Sequence, residues 1–342
     1  MKAVAFFQPL PISEPESLVD IEVDRPIPGP RDLLVHIYAI SVNPVDTKIR
    51  GGGGPRKASD SGPQILGWDA SGVVVETGCD VTKFKPGDEV YYAGAINRTG
   101  TYAEFHVVDE RLVGRKPATL SFAEAAALPL TTITAWEMLF DRIRIGREPQ
   151  ATGSLLIIGG AGGVGSIGIQ LARSLTGLNV IATASRPETR DWCLEMGAHH
   201  VIDHRKPLAG QVTAIEPKGV NYVLGLTRIE DHFEEIIEAM APQGSLALIE
   251  NLARPIDVNR LKPKCLSIHW EFMFARPLFQ TADMGEQGKL LSEVSGFIDE
   301  HRIRSTMREN FGPINAANLK RAHAHVESGT AIGKVVLSGF SN

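Results

Sequence analysis

The spacing of apolar and polar positions changes rhythm near residue 121. Before it, short runs rich in Val, Ile and aromatic residues occupy 1–6, 17–23, 32–42, 70–78 and 102–108. Pro/Gly clusters at 26–30, 51–55 and 85–89 punctuate them, so this stretch predicts strands joined by turns. From Ser121 the texture becomes helical, and Glu124 stands three residues after Ser121 as in a capping box. Strand and helix patterns then alternate. Strands are predicted at 155–159, 180–184, 200–203, 221–226, 245–250 and around 265–272, and helices near 164–176, 188–196 and 229–241. Strands separated by helical patterns mean a parallel, doubly wound sheet. Two more helices, near 286–300 and 315–327, and a strand at 333–338 follow it. The fold class is α/β, with an all-β region, a doubly wound region and a C-terminal return.

Length and composition narrow this picture. At roughly 100–200 residues per domain, 342 residues suggest two domains. Lys and Arg total 35 against 40 Asp and Glu, a net charge of −5 that offers no basic excess to hold nucleic acid. With 43% hydrophobic and 22% charged residues the chain can bury a sizeable core. Cys79, Cys193 and Cys265 are few and far apart, which argues against a disulfide framework and for a reducing, cytoplasmic setting. Cys193 and Cys265 read as core thiols. The first residues, broken by Pro9 and Pro11, do not read as a signal peptide. The stretch 149–172 carries no charge and is long enough to span a bilayer, but it holds seven glycines. A strand, a glycine turn and a helix start explain it better, so no membrane partner is expected.

That turn carries the first chemistry. A predicted strand runs into Gly160-Ala161-Gly162-Gly163-Val164-Gly165, which fits G-x-G-x-x-G at 160, 162 and 165. The first glycine permits the tight turn and the second lets backbone approach a pyrophosphate. The third brings the helix against the strand, and the helix N-terminus faces the phosphates. A dinucleotide site is expected here. About 20 residues beyond the glycines, where an NAD enzyme presents a carboxylate, stand Ser185 and Arg186. A guanidinium pairs with a 2′-phosphate, so NADPH is the expected cofactor, with Glu188 as the opposing feature.

The stretches 41–50, 65–73, 84–90, 100–104, 125–132 and 333–337, together with the glycine turn, resemble the medium-chain dehydrogenase/reductase superfamily. Within it the chain is most similar to the zinc-free quinone oxidoreductase (zeta-crystallin-like) branch, often named zinc-type alcohol dehydrogenase-like. The resemblance covers nearly the whole chain in order. It implies a GroES-like catalytic domain at 1–122, completed by 276–342, and a Rossmann NADP-binding domain at 123–275. It also implies an active site in the cleft between them, and a homodimer joined along the strand around 266–272. It places Thr131 and Thr132 near the nicotinamide, Ile249 on the carboxamide side and His204 beside the adenosine phosphate. Asn43 is the leading polar group toward the acceptor, and Asp46 fixes its loop.

The departures are as informative. Zinc alcohol dehydrogenases place a Cys where this chain has Asn43, and His-Glu where it has Trp68-Asp69. Neither supplies the thiolate or imidazole of an open zinc site, and 80–120 lacks the cysteines of a structural zinc lobe. The histidines at 199, 200 and 204, and at 323 and 325, read as satisfied or solvated side chains and not as ligands. Lys48 stands where many quinone reductases carry a Tyr, so that tyrosine donor does not transfer. Without a Lewis acid an unactivated alcohol or ketone is a poor substrate. A quinone or α,β-unsaturated carbonyl delocalises the incoming charge, and solvent supplies the proton. The expected activity is therefore NADPH-dependent reduction of a quinone or enone without metal. The alternatives are a zinc-dependent alcohol dehydrogenase and a non-catalytic NADPH-binding structural or regulatory protein.

Overall fold

Apolar runs flanked by Gly and Pro build the first strands: β1 (Lys2–Phe6), β2 (Val19–Glu22) and the long β3 (Asp32–Val42). The short helix α1 (Pro44–Arg50) follows, then β4 (Gln64–Ile65), β5 (Ala70–Thr77), β6 (Glu89–Tyr92), β7 (Phe105–Asp109) and β8 (Val113–Arg115). This is a computed structural model that describes residues 1–53 and 62–340. Two helices come next, α2 (Phe122–Ala126) and α3 (Pro129–Trp136). The capping box forms as expected, with Ser121 N donating to Glu124 Oε2 at 2.9 Å and Glu124 N to Ser121 Oγ at 3.3 Å. The helical texture of 121–140 is nevertheless not one helix. Pro129 has no N–H to continue α2 and instead starts α3, and Glu137–Arg142 then winds as a π-helical segment.

The doubly wound region holds β9 (Ser154–Ile158), α4 (Gly163–Leu175), β10 (Asn179–Thr183), α5 (Pro187–Glu195) and β11 (His200–Ile202). It goes on through α6 (Leu208–Ile215), β12 (Val220–Gly225), α7 (Ile229–Ala239), β13 (Met240–Leu248) and β14 (Ser267–Trp270). Its six strands lie in the order β11-β10-β9-β12-β13-β14, all parallel. Every residue of β9 is buried, as a strand covered on both faces requires. The amphipathic α7 lays Ile229, Phe233, Ile236 and Ile237 into the same core as Val223 and Leu246. The return comprises α8 (Ala275–Phe279), α9 (Glu286–Asp299), β15 (Met307–Asn310), α10 (Ala316–Glu327) and β16 (Lys334–Ser338).

The chain divides into two compact units. Unit 1 is Met1–Leu130 with Phe274–Asn342, and unit 2 is Thr131–Met273. Within unit 1, β16 pairs antiparallel with β3, so the return completes a seven-stranded sheet around β3, β5 and β6. Tyr91 and Tyr92 on β6 are fully buried in it, and the Tyr91 hydroxyl finds the Leu291 carbonyl at 2.6 Å. Cys265 corrects the sequence reading. It is exposed in a left-handed conformation (φ 51°) just before β14, whereas Cys193 is buried.

Candidate functional site

In unit 2 the glycine turn joins β9 to α4. Gly159 takes φ +87°, and Gly160 lies so close to β10 that a Cβ would meet Ala182 Cβ at 2.7 Å. A Cβ on Gly165 would stand 2.4 Å from the Gly159 carbonyl oxygen, so only glycine lets α4 close on the turn. Gly162 is the N-cap of α4, and a Cβ there would meet only ordinary contact, 3.6 Å from the Gly159 carbonyl oxygen. Nothing in the protein's own packing requires a glycine at this position. The first N–H groups of α4, from Gly163, Val164 and Gly165, have no intrahelical acceptor and carry the positive end of the helix dipole. Such a cradle fits a pyrophosphate.

The turn is braced by residues that pattern reading missed. Thr183, which ends β10, accepts from Gly159 N on its hydroxyl at 3.0 Å and from Gly160 N on its carbonyl at 3.1 Å. Trp192 Nε1 donates to Ser166 Oγ at 2.8 Å, and Ser166 Oγ donates to the Gly162 carbonyl at 2.7 Å. A buried indole N–H usually finds an acceptor, which was the available signal. Beyond β10, Ser185 and Arg186 are half-buried, with Arg186 Nε 3.2 Å from Glu188. Burial and the neighbouring His232 hold the His204 imidazole below its ordinary pKa. Ile249 follows directly on β13 and is half-buried. Thr131 is buried on α3, and the buried Thr132 hydroxyl has no hydrogen-bond partner among the described residues.

Unit 1 contains a buried polar cluster. Asn43 caps α1, its backbone N–H donating to Asp46 Oδ2 at 2.8 Å. Asn-Pro-x-Asp is itself a helix-start pattern, so α1 was readable from these four residues. The Asn43 amide is engaged at both ends: Nδ2 donates to Asp69 Oδ2 at 2.8 Å, and Oδ1 accepts from Lys334 Nζ. Lys334 also donates to Asp69 Oδ2 at 3.1 Å, and Leu130 N donates to Asp69 Oδ1 at 2.8 Å. Burial pushes the Asp69 pKa up, against the pull of Lys334, Asn43 and that amide. Asp46 is pushed up to about 7, again by burial, with the Asn43 backbone N–H and the Tyr102 hydroxyl opposing. Tyr102 donates to Asp46 at 2.9 Å and lies 3.1 Å from His323 Nε2, whose pKa burial depresses to about 3.

This donor set does not fit zinc. An amide, two carboxylates, a phenol and an ammonium meet here, and Lys334 brings its own positive charge to the acid. Trp68 spends its indole N–H on the Ala95 carbonyl at 3.1 Å. Among the described residues no three or more His, Cys, Asp or Glu side chains are grouped to hold a metal ion. Lys48 is exposed on α1. The sequence leaves the acceptor pocket to be shaped by variable loops such as 50–62 and 270–284, and residues 54–61 of the first lie outside the described residues. Among the described residues no helix is long and apolar enough to cross a membrane.

Comparison with known proteins gives two family matches, the alcohol dehydrogenase GroES-like domain at 29–118 and the zinc-binding dehydrogenase domain at 163–275. A zinc-type alcohol dehydrogenase-like protein of Staphylococcus aureus is 39% identical, over 99% of this chain and 100% of that one. A 2-methylene-furan-3-one reductase of Solanum lycopersicum is 31% identical over 89% of this chain and 71% of its own. Among solved structures, a Rhizobium etli protein provisionally named a zinc-dependent alcohol dehydrogenase superposes with a TM-score of 0.95. It is 53% identical and covers 100% of this chain and 99% of its own. The Escherichia coli quinone oxidoreductase complexed with NADPH gives 0.83 at 25% identity, covering 99% and 100%.

Proposed function

We propose, from the fact that this chain belongs to the medium-chain dehydrogenase/reductase superfamily of oxidoreductases, that it reduces a quinone or α,β-unsaturated carbonyl with NADPH and without metal. The observation that carries this reading is the Asn43–Asp69–Lys334 cluster, whose side chains hold one another and include no thiolate or imidazole. Without a Lewis acid, the acceptor itself must delocalise the incoming charge, as quinones and enones do. Relatives named as a quinone oxidoreductase and as a 2-methylene-furan-3-one reductase support it.

A bound nicotinamide cofactor supplies the hydride. The backbone of residues 160–165 receives the pyrophosphate, Ser185 and Arg186 face the 2′-phosphate, and His204 flanks the adenosine. Thr131 and Ile249 border the nicotinamide. Asn43 acts mainly by placing Asp69 and α1, and its second Nδ2 hydrogen is the one donor it has left for an acceptor oxygen. The final proton comes from solvent. We further propose that the active form is a homodimer.

NADPH oxidation against a panel of quinones, enones and unactivated ketones tests the reading. Turnover is expected with the first two classes only, unchanged by a strong chelator. NADPH should be preferred over NADH at least tenfold at low salt, the margin of one charge-assisted hydrogen bond of about 1.5–3 kcal/mol. Ketone turnover that a chelator abolishes would restore the zinc reading. Cofactor binding with no turnover of any acceptor would favour the structural or regulatory one.

A further inference from the structure

Sequence spacing puts one guanidinium, that of Arg186, beyond β10, and the fold brings a second to the same place. We propose that Arg205 is a specificity-determining residue for the 2′-phosphate of NADPH, an inference that rests on the NADPH reading above. β10 and β11 run parallel with Thr183 opposite Ile202, so the chain leaving each strand emerges side by side. Arg205 Nη2 donates to the Ser185 carbonyl at 2.6 Å, across a separation of 20 residues. Its Nε and Nη2 donate to Asp203 Oδ1 and Oδ2 at 3.1 and 2.9 Å, and its backbone N–H donates to Asp203 Oδ1 at 3.0 Å.

Three of the five guanidinium N–H donors are thereby spent, and they fix the plane of the group. The two on Nη1 meet no protein acceptor among the described residues, and the side chain is 65% exposed. A fixed guanidinium with an unspent two-hydrogen edge, tied to Ser185, is suited to a phosphate dianion. Arg186 is less available, because its Nε already faces Glu188. His204 is the poorer cation here, since burial and His232 hold its imidazole below its ordinary pKa. Asp203 repels a phosphate less than a bare carboxylate would, as both its oxygens are covered by Arg205.

The test titrates the full-length protein with 2′,5′-ADP and with 5′-AMP at low salt, by calorimetry. The unmodified protein is expected to bind 2′,5′-ADP at least tenfold more tightly. Arg205→Ala should shrink that ratio at least fivefold while 5′-AMP binding stays within twofold, and Arg186→Ala should shrink it less. Arg205→Lys, which keeps the charge but cannot span both Asp203 and Ser185, should recover under half of the loss. An unchanged ratio in Arg205→Ala, or equal weakening of both probes, overturns the assignment while leaving the NADPH reading intact. Equal binding of the two probes by the unmodified protein instead overturns the NADPH reading, and the role of Arg205 with it.

Discussion

Glu271, just past β14, is buried opposite Glu137 of the π-helical segment, and Arg142 bridges them at 2.8 and 3.2 Å. Two carboxyls share one guanidinium, so ionising both leaves an uncompensated negative charge in a place with little water. Burial first, and then the facing Glu137, push Glu271 up to about 9, far above its ordinary 4.5. The folded protein thus holds a proton on Glu271 that the unfolded chain releases. Its contribution to stability is complete below about pH 4.5 and is lost as pH rises toward 9. Glu271→Gln keeps the neutral shape and removes the titration. Each tenfold difference in proton affinity between the folded and unfolded chain is worth about 1.4 kcal/mol, and relaxation around the pair absorbs part of it. The variant should therefore be roughly 1–3 kcal/mol more stable than the parent at pH 8.5, and nearly equal at pH 5. Urea melts at the two pH values measure this, and a gap that does not change with pH would mean Glu271 is ionised throughout.

At the scale of elements, the turn between β9 and α4 separates two uses of glycine. Gly165→Ala forces a Cβ to within 2.4 Å of backbone oxygen, so it should cost several kcal/mol of unit 2 stability and lower its melting temperature. A Cβ at Gly162 meets only ordinary contact, so Gly162→Val should leave the fold intact while NADPH binding falls at least a hundredfold. If Gly162→Val bound NADPH normally, the pyrophosphate would lie elsewhere. The strands of this region were legible because a buried parallel strand is a short unbroken apolar run closed by glycine, as at Ser154–Ile158. The helix after Ser121 was legible at its cap but not in its length, since its composition stays helical through the break at Pro129. α6 escaped notice because Pro207 and Gly210 mask its pattern. The contacts of the site were the least legible part. Lys334 reaches Asn43 across 291 residues and Arg205 reaches Ser185 across 20, through strand pairings that no local spacing announces.

For the whole molecule, β14 is an edge strand of the unit 2 sheet, with Trp270 and Phe272 about half exposed. An edge of that kind invites pairing with a second copy. Light scattering at micromolar concentration should give twice the 37.0 kDa chain mass. Glu271 N donates to Leu248 on β13, so the Trp270 N–H, one residue earlier, faces outward, and Trp270→Pro, which cannot donate along the edge, should shift the mass toward one chain. A mass of one chain for the unmodified protein would leave that edge serving some other purpose. The order of synthesis adds a constraint of a different kind. Unit 2 is continuous in sequence, whereas the ammonium of Lys334 lies 265 residues downstream of the Asp69 carboxylate it faces. As the chain leaves the ribosome, residues 1–130 carry Asp69 toward a burial it cannot complete, with neither its counter-charge nor the β16 neighbour of β3 yet made. The second unit to be translated is therefore the first that can finish folding, and the older half must wait, open, for the chain to return to it.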